Sequence, residues 1–201
     1  MCRGILIAIE GIDGAGKTTI AKMLVEGLRK MGIKAVYTYE PYDTPVAKLL
    51  EQLLGKISPT AEALMLAADR VIHVDTVILP SLKRCDVVIT DRYFYSSMAY
   101  QGARGVDIEW IREINRFAPI PDIGIYLDID VETALERLRR KGLSKRWRYY
   151  EENIAILYKA REIYLGLASR GELMLFDAER PLKEVFTEVK NYVIKRIRKI
   201  S

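Results

Sequence analysis

The sequence predicts an α/β fold, a five-stranded parallel sheet flanked by helices on both faces. Three observations predict it. Short apolar runs alternate along the chain with longer stretches of 3.6-residue period. Most of the short runs are apolar throughout, as in strands covered on both sides. The helical stretches between them are long enough to carry the chain back over a sheet, which makes successive strands parallel.

The elements follow in order. Residues 5–10, 35–39, 86–90, 123–128 and 173–176 read as strands. After Lys17, the apolar residues Ile20, Leu24, Leu28 and Met31 recur at helical spacing. Ser58-Pro59 combines an N-capping hydroxyl with proline at the first helical position, opening a helix that runs through Arg70. Residues 131–140 and 151–169 are further helices. The last spans 182–200, with Val185, Val189, Val193, Ile197 and Ile200 on one side.

The chain has 201 residues, 50% hydrophobic and 29% charged. That fits one domain, residues 1–201, able to bury a substantial core. No repeat, linker or run of about 18 apolar residues interrupts it, so no membrane span is expected. The opening residues are too short and poorly flanked for a secretory signal, and a cytoplasmic address is expected. With only Cys2 and Cys85, neither a disulfide framework nor a Cys-rich metal site can form. The single histidine, His73, excludes a multi-His centre and is read as structural. The net charge of +5 suits anionic partners. Amides are scarce (Asn115, Asn153, Asn191, Gln52 and Gln101) beside abundant Lys, Arg and Glu, as in proteins that work at high temperature.

The stretch Gly11-Ile12-Asp13-Gly14-Ala15-Gly16-Lys17-Thr18 satisfies G-x-x-x-x-G-K-[ST], with Thr19 following. A strand precedes it and an amphipathic helix follows. Glycines let backbone N–H groups turn inward around a phosphate, and the helix N-terminus adds positive charge. Lys17 reaches the outer phosphates, and Thr18 is the hydroxyl placed to hold Mg²⁺. The expected ligand is a nucleoside triphosphate.

A phosphate loop alone serves switches, motors and kinases. Asp91-Arg92 ends the third strand, where the carboxyl edge of a parallel sheet opens onto the loop. Arg92 can grip a phosphate bidentately. Asp91 either joins the Mg²⁺ shell or orients Arg92. Glu40-Pro41 puts another carboxylate on that edge. Between Arg137 and Arg148 lie Arg137, Arg139, Arg140, Lys141, Lys145, Arg146 and Arg148, with Gly142 as a hinge point. This basic segment, a lid over about 139–150, is read as closing over polyphosphate. A solvated face and a nucleic-acid patch are the other readings of the same charges. A nucleoside monophosphate offers an ionised oxygen, its second pKa being about 6. Transfer to it needs positioning and positive charge rather than a base, which matches this composition.

In sum these residues resemble the thymidylate kinase family over nearly the whole chain. The matching motifs are Glu10 through Thr19, Glu40-Pro41, Ala67-Ala68-Asp69-Arg70, Asp91-Arg92-Tyr93 with Ser96 and Ser97, Ala99-Tyr100-Gln101-Gly102, Pro121-Asp122, Tyr126-Leu127-Asp128 and Phe176-Asp177-Ala178. The resemblance implies Mg²⁺- and ATP-dependent phosphorylation of dTMP to dTDP by a homodimer, with no nucleic acid bound. It implies roles for single residues. Asp13 approaches the deoxyribose or the acceptor phosphate, Arg92 holds that phosphate, and Arg70 donates to a thymine carbonyl. Ser97 meets the N3 edge, Tyr100 crowds the sugar 2′ position, Gln101 flanks the base, and Ala178 borders adenine. Members with glycine where Gly14 stands place the catalytic arginine in the lid, making Arg139, Arg140 and Lys141 the candidates beside Lys17 and Arg92. Two positions depart from the family. Leu66 replaces a phenylalanine that stacks on thymine, and Tyr39 replaces an arginine. Both bear on the choice of acceptor. The alternatives are a UMP/CMP-type kinase, a deoxynucleoside kinase with Glu40 as base, or a nucleotide-dependent switch or nucleic-acid-binding module.

Overall fold

The computed structural model describes residues 3–142 and 153–200. Five parallel strands, β1 (Ile5–Glu10), β2 (Ala35–Tyr39), β3 (Val87–Asp91), β4 (Ile123–Asp128) and β5 (Met174–Asp177), form one sheet in the order β2-β3-β1-β4-β5. β1 lies at the centre and is buried along its whole length, as its unbroken apolar run requires. Its register sets Ile9 beside Asp91 on β3 and Glu10 beside Tyr126 on β4. The carboxyl edge therefore gathers Glu10, Asp91 and Asp128.

Helices cover both faces: α1 (Lys17–Lys30), α2 (Pro45–Leu53), α3 (Pro59–His73), α4 (Leu79–Lys83), α5 (Phe94–Ala103), α6 (Ile108–Ile114), α7 (Val131–Lys141), α8 (Ile154–Ser169) and α9 (Leu182–Ile200). Their starts are chemically marked. The Ser58 hydroxyl accepts the Ala61 N–H, Thr44 does the same for Ala47, and the Asp107 carboxylate accepts from Trp110 N–H. A π-helical turn, Val74–Ile78, joins α3 to α4 just before Pro80, whose missing N–H cannot continue an ordinary ladder. On α9, Val185, Val189, Val193 and Ile197 are buried as the periodicity requires.

Several expectations need correction. The third and fifth strands each lie one residue later than the apolar runs 86–90 and 173–176, because Asp91 and Asp177 pair with the neighbouring strand despite their charge. Met31 leaves the core stripe of α1 and stands at the C-cap, 45% exposed. The helix expected over 151–169 is described from Ile154; 151 and 152 lie outside the described residues, as do 143–150 of the expected lid. Helices α2, α4, α5 and α6 carry no stated expectation. Cys85, at φ 65° in the turn before β3, is disulfide-bonded, which the sequence reading did not foresee.

Candidate active site

The phosphate loop leaves the end of β1 and enters α1 through Gly16, which caps that helix at φ 95°. Gly14 has φ 92°, and a Cβ added there would stand 2.4 Å from the Ala134 carbonyl oxygen on α7. Only glycine fits. Lys17 is buried, and its Nζ donates to the Ile12 carbonyl at 2.8 Å. Burial, with Arg92 nearby, pushes its pKa down to about 8 against the pull of Asp13, Asp91 and Glu10. The Thr18 hydroxyl donates to Asp91. Beside the loop lies a cavity of about 560 Å³ lined by Gly14, Gly16, Thr19, Arg137, Arg140 and Ala178 among others. Arg137 reaches it by donating to the Ala178 carbonyl at 2.9 Å.

Arg92 follows β3 with φ 73°, a backbone conformation that costs an L-residue energy and persists only where its surroundings enforce it. Its guanidinium donates to Ser96 Oγ at 2.9 Å and to Asp13 Oδ1 at 2.5 Å, and lies over the Tyr100 ring. The Tyr100 hydroxyl accepts the Asp13 N–H at 2.9 Å. Burial works against the Arg92 charge, but Asp13 and the surrounding groups outweigh it and raise its pKa above the usual arginine value. Beneath this cluster is Glu10, wholly buried, whose Oε1 accepts the Tyr93 N–H at 2.7 Å. Its Oε2 accepts from Ser96 Oγ at 2.7 Å and from the Tyr164 hydroxyl at 2.8 Å. Burial pushes the Glu10 carboxyl up to about 7, opposed by Ser96, Arg92, Tyr164 and the Tyr93 N–H.

A second network surrounds Arg70, 2% exposed on α3. Its Nε donates to Glu40 Oε2 at 2.7 Å, and its two terminal nitrogens donate to Asn115 Oδ1 and Ser97 Oγ. Glu40 Oε1 meets His73 Nδ1 at 3.1 Å, while His73 Nε2 pairs with Thr38 Oγ1 at 2.6 Å. Tyr42 stacks on the His73 ring, and Asp69 holds the Tyr42 N–H and the Thr44 hydroxyl. A narrow cavity of about 20 Å³ runs between Leu66, Arg70, Arg92, Ser97, Tyr100 and Gln101. It shares Pro41 and Leu66 with a larger one of about 400 Å³ that extends past Tyr42, Leu50 and Leu54. Two buried polar atoms among the described residues have no hydrogen-bond partner on these walls, Gln101 Oε1 and the Tyr93 hydroxyl. Such atoms are costly to leave unpaired.

The chain thus brings Glu40, Leu66, Arg70, Arg92, Ser97, Tyr100 and Gln101 to one cavity, and Gly14, Ala15, Gly16, Thr19 and Ala178 to another. No lining residue is common to the two. The Asp13–Arg92 ion pair ties the phosphate loop to a residue that lines the second cavity. Gly11, Ile12 and Lys17 are buried under the loop, and Thr18 is exposed beside Asp91. Arg139 and Arg140 are exposed on the last turn of α7, where Arg140 lines the cavity beside the loop. Lys141 ends that helix. Lys145, Arg146 and Arg148 lie outside the described residues. The reading of Glu40 as a general base is not favoured, since both its oxygens are engaged by Arg70 and His73. The sequence reading gave no part in the site to Glu10, His73, Asn115 or Tyr164. Their partners lie up to 154 positions away, as in Glu10–Tyr164, and no local spacing signals such a pair. Tyr93 and Tyr100 are the aromatic residues that line the narrow cavity with Leu66.

A family model described as thymidylate kinase matches residues 9–189. A probable thymidylate kinase of Staphylothermus marinus is 44% identical over 195 residues, covering 96% of each chain. One from Thermococcus kodakarensis is 43% identical over 195 residues, covering 91% of this chain and 94% of its own. Another, from Pyrococcus horikoshii, is 40% identical over 196 residues, covering 93% and 94%.

Proposed function

This chain belongs to the thymidylate kinase family, and on that premise we propose that it transfers the γ-phosphoryl group of ATP to dTMP, giving dTDP and ADP. The observation that carries the reading is the Asp13–Arg92 ion pair, which joins the phosphate loop to the cavity holding Arg70, Ser97 and Gln101. Two anionic substrates placed in the two cavities would bring their phosphates together there.

ATP takes the cavity of about 560 Å³, with adenine toward Ala178 and the phosphates on the loop. Gly11 to Thr19 supply backbone and side-chain contacts, and Lys17 meets the outer phosphates. Thr18 and Asp91 set a hydroxyl and a carboxylate side by side, the hard oxygen pair that Mg²⁺ takes alongside phosphate oxygens. When bound, that ion supplies neutralisation of charge on the donor phosphates.

The acceptor phosphate docks on Arg92. Three of the five N–H groups of Arg70 are engaged among the described residues, which leaves donors for a pyrimidine carbonyl. Gln101 Oε1 accepts from the N3 edge beside Ser97, and Tyr100 packs at the sugar 2′ position beside Asp13. The acceptor oxygen is already ionised at neutral pH. Its bond to the γ-phosphorus forms as the bond to the leaving ADP oxygen breaks, and Arg139, Arg140 and Lys141 supply positive charge from the end of α7. Residues 1–201 act as one domain with a lid over about 139–150. The enzyme is cytoplasmic and homodimeric, the outward Leu64, Val71 and Ile72 of α3 offering an apolar surface, and it binds no nucleic acid. No helix among the described residues is long and apolar enough to cross a membrane.

The test is a panel of monophosphates and thymidine incubated with Mg-ATP. dTDP should form fastest. Phosphorylation of thymidine itself, or a preference for UMP or CMP, would overturn the assignment.

A further inference from the structure

We infer that Glu10 is the positioning residue for acceptor binding, fixing the Arg92 fork through Ser96 and the Tyr93 N–H. This deepens the proposed function and rests on its assignment of Arg92 to the acceptor phosphate.

The geometry is a closed chain of short contacts. Glu10 Oε1 takes the Tyr93 N–H at 2.7 Å, which fixes the peptide immediately after Arg92. Glu10 Oε2 takes the Ser96 hydroxyl at 2.7 Å, and Ser96 Oγ in turn accepts from Arg92 at 2.9 Å. Arg92 itself is held at φ 73° by its own N–H to the Ile9 carbonyl and by the Thr90 hydroxyl on its carbonyl. A left-handed arginine needs such restraint to keep one orientation. The restraint comes from Ile9 and Glu10 of β1 and Thr90 of β3, two strands buried along their whole length. One side of the fork is thereby occupied and the other points to Asp13, the place where a phosphate would compete.

The groups facing Glu10 come from every element around it. The β3–α5 junction and α5 contribute Arg92, the Tyr93 N–H, Ser96 and Tyr95; α8 contributes Tyr164, stacked on Tyr126 of β4; and α1 contributes Lys17. Burial raises the Glu10 pKa to about 7. Below that pH the carboxyl takes a proton and its charge beside Arg92 is lost, so acceptor recognition should weaken as the solution is acidified through neutrality. The substrate phosphate titrates lower, near pH 6.

The test compares wild type with Glu10→Gln, Ser96→Ala, Arg92→Ala and Glu10→Gln/Arg92→Ala, using steady-state kinetics from pH 5.5 to 8.5. Glu10→Gln should lower kcat/KM for dTMP at pH 8 by about tenfold or more, as for loss of a hydrogen bond to a charged group, with KM for ATP unchanged. Its pH profile should lose the limb near 7 and keep the one near 6. Ser96→Ala should move in the same direction, which keeps the question open to measurement even where Glu10→Gln fails to fold. Adding Glu10→Gln to Arg92→Ala should change kcat/KM for dTMP by less than twofold, since the two act through one contact. Additive losses, equal losses for ATP and dTMP, or an unchanged pH profile would overturn the inference about Glu10. If Arg92→Ala leaves dTMP kinetics intact, it is the assignment of Arg92 that fails instead.

Discussion

Replacing Arg70 with Met separates what this arginine does for the fold from what it does for the acceptor. The guanidinium is 2% exposed and bonded to Glu40, Asn115 and Ser97. Removing it leaves the Glu40 carboxylate buried with His73 as its one remaining side-chain partner among the described residues, and breaking a buried pair from one side costs about 3–5 kcal/mol. In a chain of this size 1 kcal/mol moves Tm by about 2–4 °C, so Tm should fall by about 6–20 °C. The lost contact to the base should lower kcat/KM for dTMP by about 10–100-fold, as for a hydrogen bond to a charged group. The double substitution Arg70→Met/Glu40→Gln removes both charges and should recover most of the lost Tm. It should recover none of the dTMP affinity. Calorimetric unfolding and steady-state kinetics on the three proteins measure both quantities. Were the double variant to regain dTMP affinity along with Tm, Arg70 would be a scaffold residue and its role as a base reader would be wrong.

Three further outcomes are expected. Leu66→Phe sets a ring on the wall shared by the two acceptor-side cavities; base–aromatic stacking is worth about 1–3 kcal/mol, so titration calorimetry should show dTMP binding about tenfold tighter, and unchanged binding would mean that the base lies elsewhere. Gly14→Ala forces a methyl group to within 2.4 Å of the Ala134 carbonyl at φ 92°; urea midpoints should fall by the equivalent of about 1–3 kcal/mol and KM for ATP should rise, a neutral result ruling out the close contact. The raised Glu10 pKa means that the folded chain keeps a proton which the unfolded chain releases between pH 4.5 and about 7; stability from this group therefore falls as pH rises through that window, and Glu10→Gln should flatten the slope of urea midpoint against pH.

The sheet was legible because burial on both faces writes itself into the sequence as unbroken apolar runs, as in residues 5–9. The phosphate loop was legible because the glycines at 14 and 16 answer a left-handed backbone that other residues rarely adopt. Helix starts at Ser58 and at the loop were local chemistry and were read correctly. What could not be read were pairings set by the sheet order. Glu10 meets Tyr164 only because β1 lies between β3 and β4 with α8 packed above. Glu40 meets Arg70 and His73 because β2 ends beside α3. In sequence Glu40 was therefore a carboxylate without a partner, and a base was a fair expectation; in the fold both its oxygens are already engaged. Strand limits slipped by one residue where a charged aspartate still pairs, since hydropathy marks burial rather than the ladder.

The contact between Gly14 and Ala134 also limits how the family's chemistry can be rearranged in this chain. Loop and helix touch main chain to main chain, so position 14 is closed to every side chain, cationic ones included. On the proposed assignment, positive charge beyond that of Lys17 would come from the helix that presses on the loop, and Arg137 and Arg140 of α7 line that space. Moving an arginine into the loop would require pushing the helix away and, with it, the charges it delivers. The two placements exclude each other, and no single substitution leads from one to the other.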